Sequence, residues 1–168
     1  MKGQAVGIIA VFLLALIPFA GIATDLYVAL KEKNWARNAA SQAALVGASL
    51  GRDWAYYERE GRMRLRSDVA CDEAISEAEA LLSQRGYHFS CECWPADPNS
   101  RCLVAVLPEG GSIPNFPPKE RARLVPSPGW QSEGPGVAVY LALPVRTSFL
   151  KWVRPIIEVH AFAVAGVE

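Results

Sequence analysis

The residues of this 168-residue chain whose types could do chemistry are four cysteines, two histidines and a scatter of serines. Cys91 and Cys93 are one residue apart, with Cys71 before them and Cys102 after. Four thiolates could hold zinc, but structural zinc pairs are spaced C-x2–4-C, and C-x-C on an extended strand has the wrong geometry. No metal is expected. An even number of cysteines in a small region instead predicts two disulfides and an oxidising compartment. If a hairpin turns near Asp97–Pro98, Cys93 faces Cys102 across it, and Cys71 on a buried helical stripe reaches Cys91; this is one of three possible connectivities. His88 and His160 have no Asp, Cys or second His at a spacing that builds a triad, so each reads as a surface or hydrogen-bonded histidine. Ser41, Ser49 and Ser148 lack a nucleophile-elbow context, and no P-loop, dinucleotide fingerprint or haem motif is present. Neither an enzyme nor a cofactor is expected.

Lysine plus arginine (17) balance aspartate plus glutamate (17), so no net field favours nucleic acid. The run Arg62, Arg64, Arg66 reads as a solvated or salt-bridged face. The more decisive segment is N-terminal. From Ala5 to Ala23, "AVGIIAVFLLALIPFAGIA" carries no charge, and with its flanks it reaches the roughly 20 residues of a spanning helix. The rival reading is a secretory signal cut near "FAGIA"; its apolar core would run to only about 7–15 residues, and the expectation here is a retained anchor. The basic residues after the span favour a cytoplasmic C-terminal side by the positive-inside rule. The cysteines favour the opposite, and the body of the chain is expected outside.

These elements must be positioned by something long. No proline falls between Asp25 and Tyr57, and Pro18 inside the span should kink the helix rather than end it. A helix from about Gln4 to the late fifties would be on the order of 80 Å long. A second helix starts at Ser67–Asp68, buries Cys71, Ile75, Ala78 and Leu82, and ends at Gly86 as its C′ residue. Alternation in "YHFSCECW" puts Tyr87, Phe89, Cys91 and Cys93 on one face of a strand. "CLVAVL" (Cys102 to Leu107), "VAVYLALPV" (Val137 to Val145) and "IIEVHAFAVA" (Ile156 to Ala165) are further strands. Residues 108–136, rich in Pro and Gly, read as a long surface loop that is functional or partner-facing. The expected class is α+β: a long protruding N-terminal hydrophobic helix packed on a small antiparallel sheet with one extra helix. The expected domains are a membrane or filament-core helix, 1–58, and a disulfide-bonded head, 59–168.

Within the long helix, "ARNAASQAALVGASLG" repeats small residues every fourth position: Ala36, Ala40, Ala44 and Ala48, flanked by Ala43, Gly47 and Gly51. Such a stripe lets another backbone approach closely. It could pack under the chain's own sheet or form the contact zone between rod and head. Asp25 is the one acid at the membrane edge. It is expected either to pair with Lys31 or solvent, or to dock on Lys2 or a neighbour's terminal amine inside a bundle. Trp54 and Tyr57 are expected on the sheet, and Trp35 at a subunit contact.

The order "GQAVGIIAVFLLALIPFAGIATDLYVALKEKNWARNAASQAALVGAS" resembles the N-terminal region of the TadE and TadG proteins of tight-adherence (Flp-type) pili. That family has a Gly-Gln-Ala start, an apolar span, an Asp, and an Asn-Ala-Ala box. These are matched here by Gly3-Gln4-Ala5, Asp25, and Asn38 to Ala48. The ending "PVRTSFLKWVRPIIEVHAFAVAGVE" is similar to the family's closing strand, in which a Thr-x-Phe segment precedes an alternating Val/Ala run. The resemblance covers about the first fifty and last thirty residues. It implies a type IV pilin-like subunit that waits in the membrane by its N-terminal helix and packs into an extracellular filament. Gln4, Ile8, Ile9, Phe12, Leu13, Leu14, Leu16, Ile17, Phe19 and Ile22 would then form the filament core. The implied partners are copies of the chain itself, a prepilin peptidase, the pilus assembly machinery and, before assembly, the membrane. Ala5 departs from the glutamate that type IV pilins carry at that mature position; either Met1 begins mature numbering or Gly3–Gln4 is the cut. A minor accessory pseudopilin and a membrane-anchored binding module are the alternative functions.

Overall fold

The structure is a computed structural model that describes residues 2–118, 129–152 and 154–167, with side chains described from residue 16 onward except at Trp152. It is a mixed α+β fold. The chain order is α1 (Lys2–Leu50), α2 (Trp54–Glu60), α3 (Ser67–Gln84), β1 (Glu92–Cys93), β2 (Cys102–Leu107), β3 (Gly111–Pro114), β4 (Gly129–Ser132), β5 (Gly136–Arg146), a 3-10 turn (Leu150–Trp152) and β6 (Ile156–Gly166). The backbone clusters into two compact units. The smaller comprises residues 1–34 with 144–159, and the larger 35–143 with 160–168.

Helix α1 runs through Pro18 but stops at Leu50, short of the expected late fifties. The break has local causes. Gly51 lies so close to Ala70 that a Cβ there would overlap it. The chain then pairs briefly with residues 64–66, where the Asp53 amide donates to the Arg64 carbonyl (2.9 Å) and the Arg66 amide to Gly51 (2.7 Å). The Asp53 carboxylate restarts the helix by accepting the Tyr56 amide at 3.0 Å, an N-cap worth about 1 kcal/mol. Gly61, at φ 65°, closes α2. Helix α3 begins at Ser67 as expected. It ends in a Schellman motif: Gly86 takes φ 84°, its amide bonds Ser83, and the Tyr87 amide reaches Leu82 at 2.9 Å.

In the larger unit the main sheet has the order β1-β2-β5-β6. Strands β2 and β5 are antiparallel, with Val104 opposite Val139 and Leu103 opposite Tyr140. Both faces of this sheet are covered, which is why β5 reads as a near-continuous apolar run rather than an alternating one. On one face Val104, Val137, Val139 and Leu141 pack with the alanines of α1 and with Ala70, Ala74, Ala78 and Leu82 of α3. On the other, Leu103, Ala105, Ala138 and Tyr140 pack with Phe116 and Trp130.

That second core corrects the expected surface loop at 108–136. Its described part forms a separate antiparallel pair, β3 and β4, and contributes two buried aromatics. Phe116 lies within 5.6 Å of Trp94, 6.4 Å of Trp130 and 6.1 Å of Phe162, ring centre to ring centre. Residues 119–128 of the expected loop lie outside the described residues.

The disulfides exist, but their expected pairing is overturned: Cys71 bonds Cys93 and Cys91 bonds Cys102. The reason is strand direction. Strand β1 is two residues long and runs parallel to β2, with Glu92 opposite Leu103 and Cys93 opposite Val104. Extending that register one residue back brings Cys91 to Cys102, with Cα atoms 4.5 Å apart. An antiparallel hairpin would have brought Cys93 there instead. The alternation of Tyr87, Phe89 and Cys91 is real, yet it belongs to an irregular segment: Tyr87 stacks on Trp35 and meets Phe89 at a tilt, each at 6.1 Å.

Candidate functional site

The small-residue stripe has its partner inside the chain. Ala36, Ala40, Ala43, Ala44 and Ala48 are buried in the core of the larger unit. A Cβ on Gly47 would lie 2.5 Å from the Ala70 carbonyl oxygen and 2.8 Å from Ala74 Cβ. The thin face of α1 is therefore what lets α3 approach. Within the chain, then, this stripe packs under its own sheet and against α3. Trp35, expected at a subunit contact, stacks on Tyr87 and lies under the Arg85 guanidinium at 5.6 Å. Trp54 and Tyr57, expected on the sheet, are exposed and meet edge to face at 6.2 Å.

In the smaller unit the pattern of α1 is inverted. Leu16, Ile17, Phe19, Ile22, Leu26, Tyr27, Val28 and Leu30 are exposed, Phe19 to 74 %, whereas Asp25 is only 4 % exposed. Asp25 shares a helical face with Gly21, four residues earlier. Gly21 leaves room for the ring of Phe149 against the helix, where a Cβ would overlap it. This sets the 147–150 segment over the Asp25 carboxylate. The Ser148 amide donates to Oδ1 at 2.9 Å, and the Phe149 and Leu150 amides donate to Oδ2 at 2.8 and 2.7 Å. Thr147 closes the same loop from behind: its hydroxyl donates to the Arg154 carbonyl at 2.6 Å and its amide to Pro155 at 3.2 Å. The Ser148 bond, followed by those from Leu150 and Phe149, lowers the Asp25 pKa below its ordinary 3.8 against the opposing effect of burial. Asp25 is ionised at neutral pH and satisfied by its own chain.

In this chain the Asp25 carboxylate is held by backbone amides of the 148–150 segment, whereas the side chain of Lys2, one of its expected partners, lies outside the described residues. The clamp unites Asp25 with the Thr-x-Phe segment, two features that the sequence reading noted separately. Gly21, Thr147, Ser148, Phe149 and Leu150 were missed as parts of one site. Their available signal was an isolated acid at the end of an apolar run, which needs amide or cationic partners wherever it is buried. The side chains of Lys2, Gln4, Ile8, Ile9, Phe12, Leu13 and Leu14 lie outside the described residues, as does most of the expected span. Among the described residues, no helix is long and apolar enough to cross a membrane.

Elsewhere the chemistry is sparse. His160 shares a hydrogen bond of 2.8 Å with the Tyr140 hydroxyl, and His88 is exposed. Among the described residues no three His, Cys, Asp or Glu are grouped to hold a metal ion. A shallow open depression of about 360 Å3 is lined by Gly111, Ser112, Gln131, Ser132 and Glu133; its lining has a single carboxylate and no base to work with it. Comparison with protein-family models, curated proteins and solved structures gives no match.

Proposed function

We propose that this chain is a structural subunit of a type IV pilus-like, tight-adherence-type filament, held in the cytoplasmic membrane by α1 before assembly and polymerising through that helix on the cell surface. The observation that carries this reading is the inverted helix of the smaller unit, with large apolar side chains outside and its acid inside. Eight such side chains left in water cost on the order of 10 kcal/mol against a covered state. Before assembly, lipid tails over the side chains up to Ile22 and the headgroup layer over those from Leu26 to Leu30, and after assembly neighbouring copies of α1, are the covers the reading requires. Two disulfides suit a protein that works in an oxidising, protease-exposed setting. A prepilin peptidase and an assembly machine are the further partners this reading calls for. A minor, accessory pseudopilin would use the same helix at low copy number, and a membrane-anchored binding module would use it only as an anchor.

Electron microscopy of the purified chain after detergent removal tests the proposal. Fibres built of this chain are expected, and Leu26→Asp with Leu30→Asp should abolish them while both disulfides still form. Wild-type protein that stays monomeric, or fibres that survive the double substitution, would refute the filament reading.

A further inference from the structure

The loop that Asp25 clamps carries more than a hydrogen-bonding function. From Pro144 to Val159 the segment contains Arg146, Lys151 and Arg154 against a single acidic residue, Glu158. All three basic side chains are exposed, and so is Phe149, to 53 %. The clamp fixes their height on α1: Asp25 stands two residues, about 3 Å of helix rise, beyond the end of the apolar run at Ala23. An exposed aromatic ring among basic side chains, held at the level where a spanning helix leaves the hydrocarbon, has the composition of a headgroup contact. Aromatic side chains sit in that belt, long basic ones reach to the phosphates, and each is favoured by anionic lipid.

We infer that the 146–154 loop is a second membrane contact, in which Phe149 enters the interface beside Gly21 while Arg146 and Arg154 hold anionic phospholipid headgroups. The inference rests on the reading of α1 as a membrane helix before assembly. It adds that the chain is attached at two places rather than one, and that lipid charge helps set how deep and at what angle α1 waits. The occupant is the bilayer surface because the loop combines exposed apolar and cationic groups at one level of an apolar helix; a protein partner has no such depth marker.

Full-length protein reconstituted in vesicles tests this, either with phosphatidylcholine alone or with one lipid in three replaced by phosphatidylglycerol. A bimane probe is placed on Ser148→Cys, whose side chain is exposed and whose substitution leaves the amide bonded to Asp25. The native cysteines are engaged in disulfides. Lipids spin-labelled at the headgroup should quench this probe in the anionic vesicles, and iodide should not reach it. Arg146→Gln and Arg154→Gln should each lower the lipid-contacting fraction about fivefold. Open access to iodide with no dependence on phosphatidylglycerol overturns the inference. So does shielding from both iodide and labelled lipid, which would assign the loop to contacts between copies. A second probe on Ala10→Cys separates the two readings. If it lies in the bilayer while the Ser148 probe lies in water, only the loop contact fails; if it too lies in water, the membrane reading of α1 fails with it.

Discussion

Gly47→Ala should destabilise the chain, although the same change on an exposed helix would stabilise it. In a free helix, Ala is favoured over Gly by about 1 kcal/mol. At Gly47 the added Cβ would stand 2.5 Å from the Ala70 oxygen and 2.8 Å from Ala74 Cβ, where ordinary contact begins near 3.4 Å. The two helices would have to part by 3.4 − 2.5 = 0.9 Å at the first contact and 3.4 − 2.8 = 0.6 Å at the second. A backbone carbonyl and a Cβ cannot swing aside as the end of a lysine could. Overpacking of this kind costs about 1–3 kcal/mol, and its upper half applies where neither neighbour can rotate away. After the propensity gain, a net loss of about 1–2 kcal/mol remains, or roughly 2–8 °C in Tm for a chain of this size. Thermal unfolding of the full chain in mild detergent, followed by tryptophan emission, reads this out. Ser49→Ala is the control, since Ser49 is exposed and bonds only its own helix at Val46; it should change stability by less than about 0.5 kcal/mol. A Gly47→Ala protein as stable as wild type, or more so, would show that α1 and α3 are not packed at this distance.

Asp25→Asn should speed hydrogen exchange at the Ser148, Phe149 and Leu150 amides, because an amide side chain has one acceptor oxygen where the carboxylate uses two; unchanged exchange would refute the clamp. Since the folded-state pKa of Asp25 is depressed, its contribution is fully present above the ordinary value of 3.8 and is lost as pH falls below that through the lowered one. Protection of the same three amides, measured against their intrinsic exchange at each pH, should fall only in that acid range, and a fall near neutrality would count against the assignment. Digestion under non-reducing conditions that cuts after Arg85, Glu92 and Arg101 should yield one linked pair holding Cys71 with Cys93 and another holding Cys91 with Cys102. A peptide joining Cys93 to Cys102 would instead restore the antiparallel hairpin.

What was legible in the sequence was local. The start of α3 at Ser67 and its glycine stop at Gly86 follow from capping chemistry within a few residues. The β2, β5 and β6 runs announce themselves by composition. The cysteine count gave two disulfides, but their connectivity depended on whether β1 runs with β2 or against it, and a two-residue strand carries no directional signal. Residues 111–114 and 129–132 escaped notice because each strand is four residues long and set among glycines, two of which, Gly111 and Gly129, take positive φ. The burial of Phe116 and Trp130 arises from the second face of the sheet, which no local pattern foretells. Asp25 stood out as an oddity, while its partners lie 123 to 125 residues further along the chain.

On the filament reading α1 has to change surroundings, and the clamp bears on how an acid can sit on such a helix. A carboxylate that relied on a lysine or a neighbour's amine would have to break that pair and form another on moving from lipid to a protein bundle, losing solvation between the two. Three amides of the same chain move with it. Their dipoles stay aimed at Oδ1 and Oδ2 whatever surrounds the exposed apolar side chains, so the ionic group contributes little to the difference between the two states. On the filament reading, assembly is then decided by the apolar faces of α1 alone. Asp25→Leu, which removes the acid and leaves the loop amides without it, should loosen the 147–154 segment more than it hinders fibre growth. A subunit whose fibres vanish while those three amides remain protected would show that Asp25 acts between subunits after all.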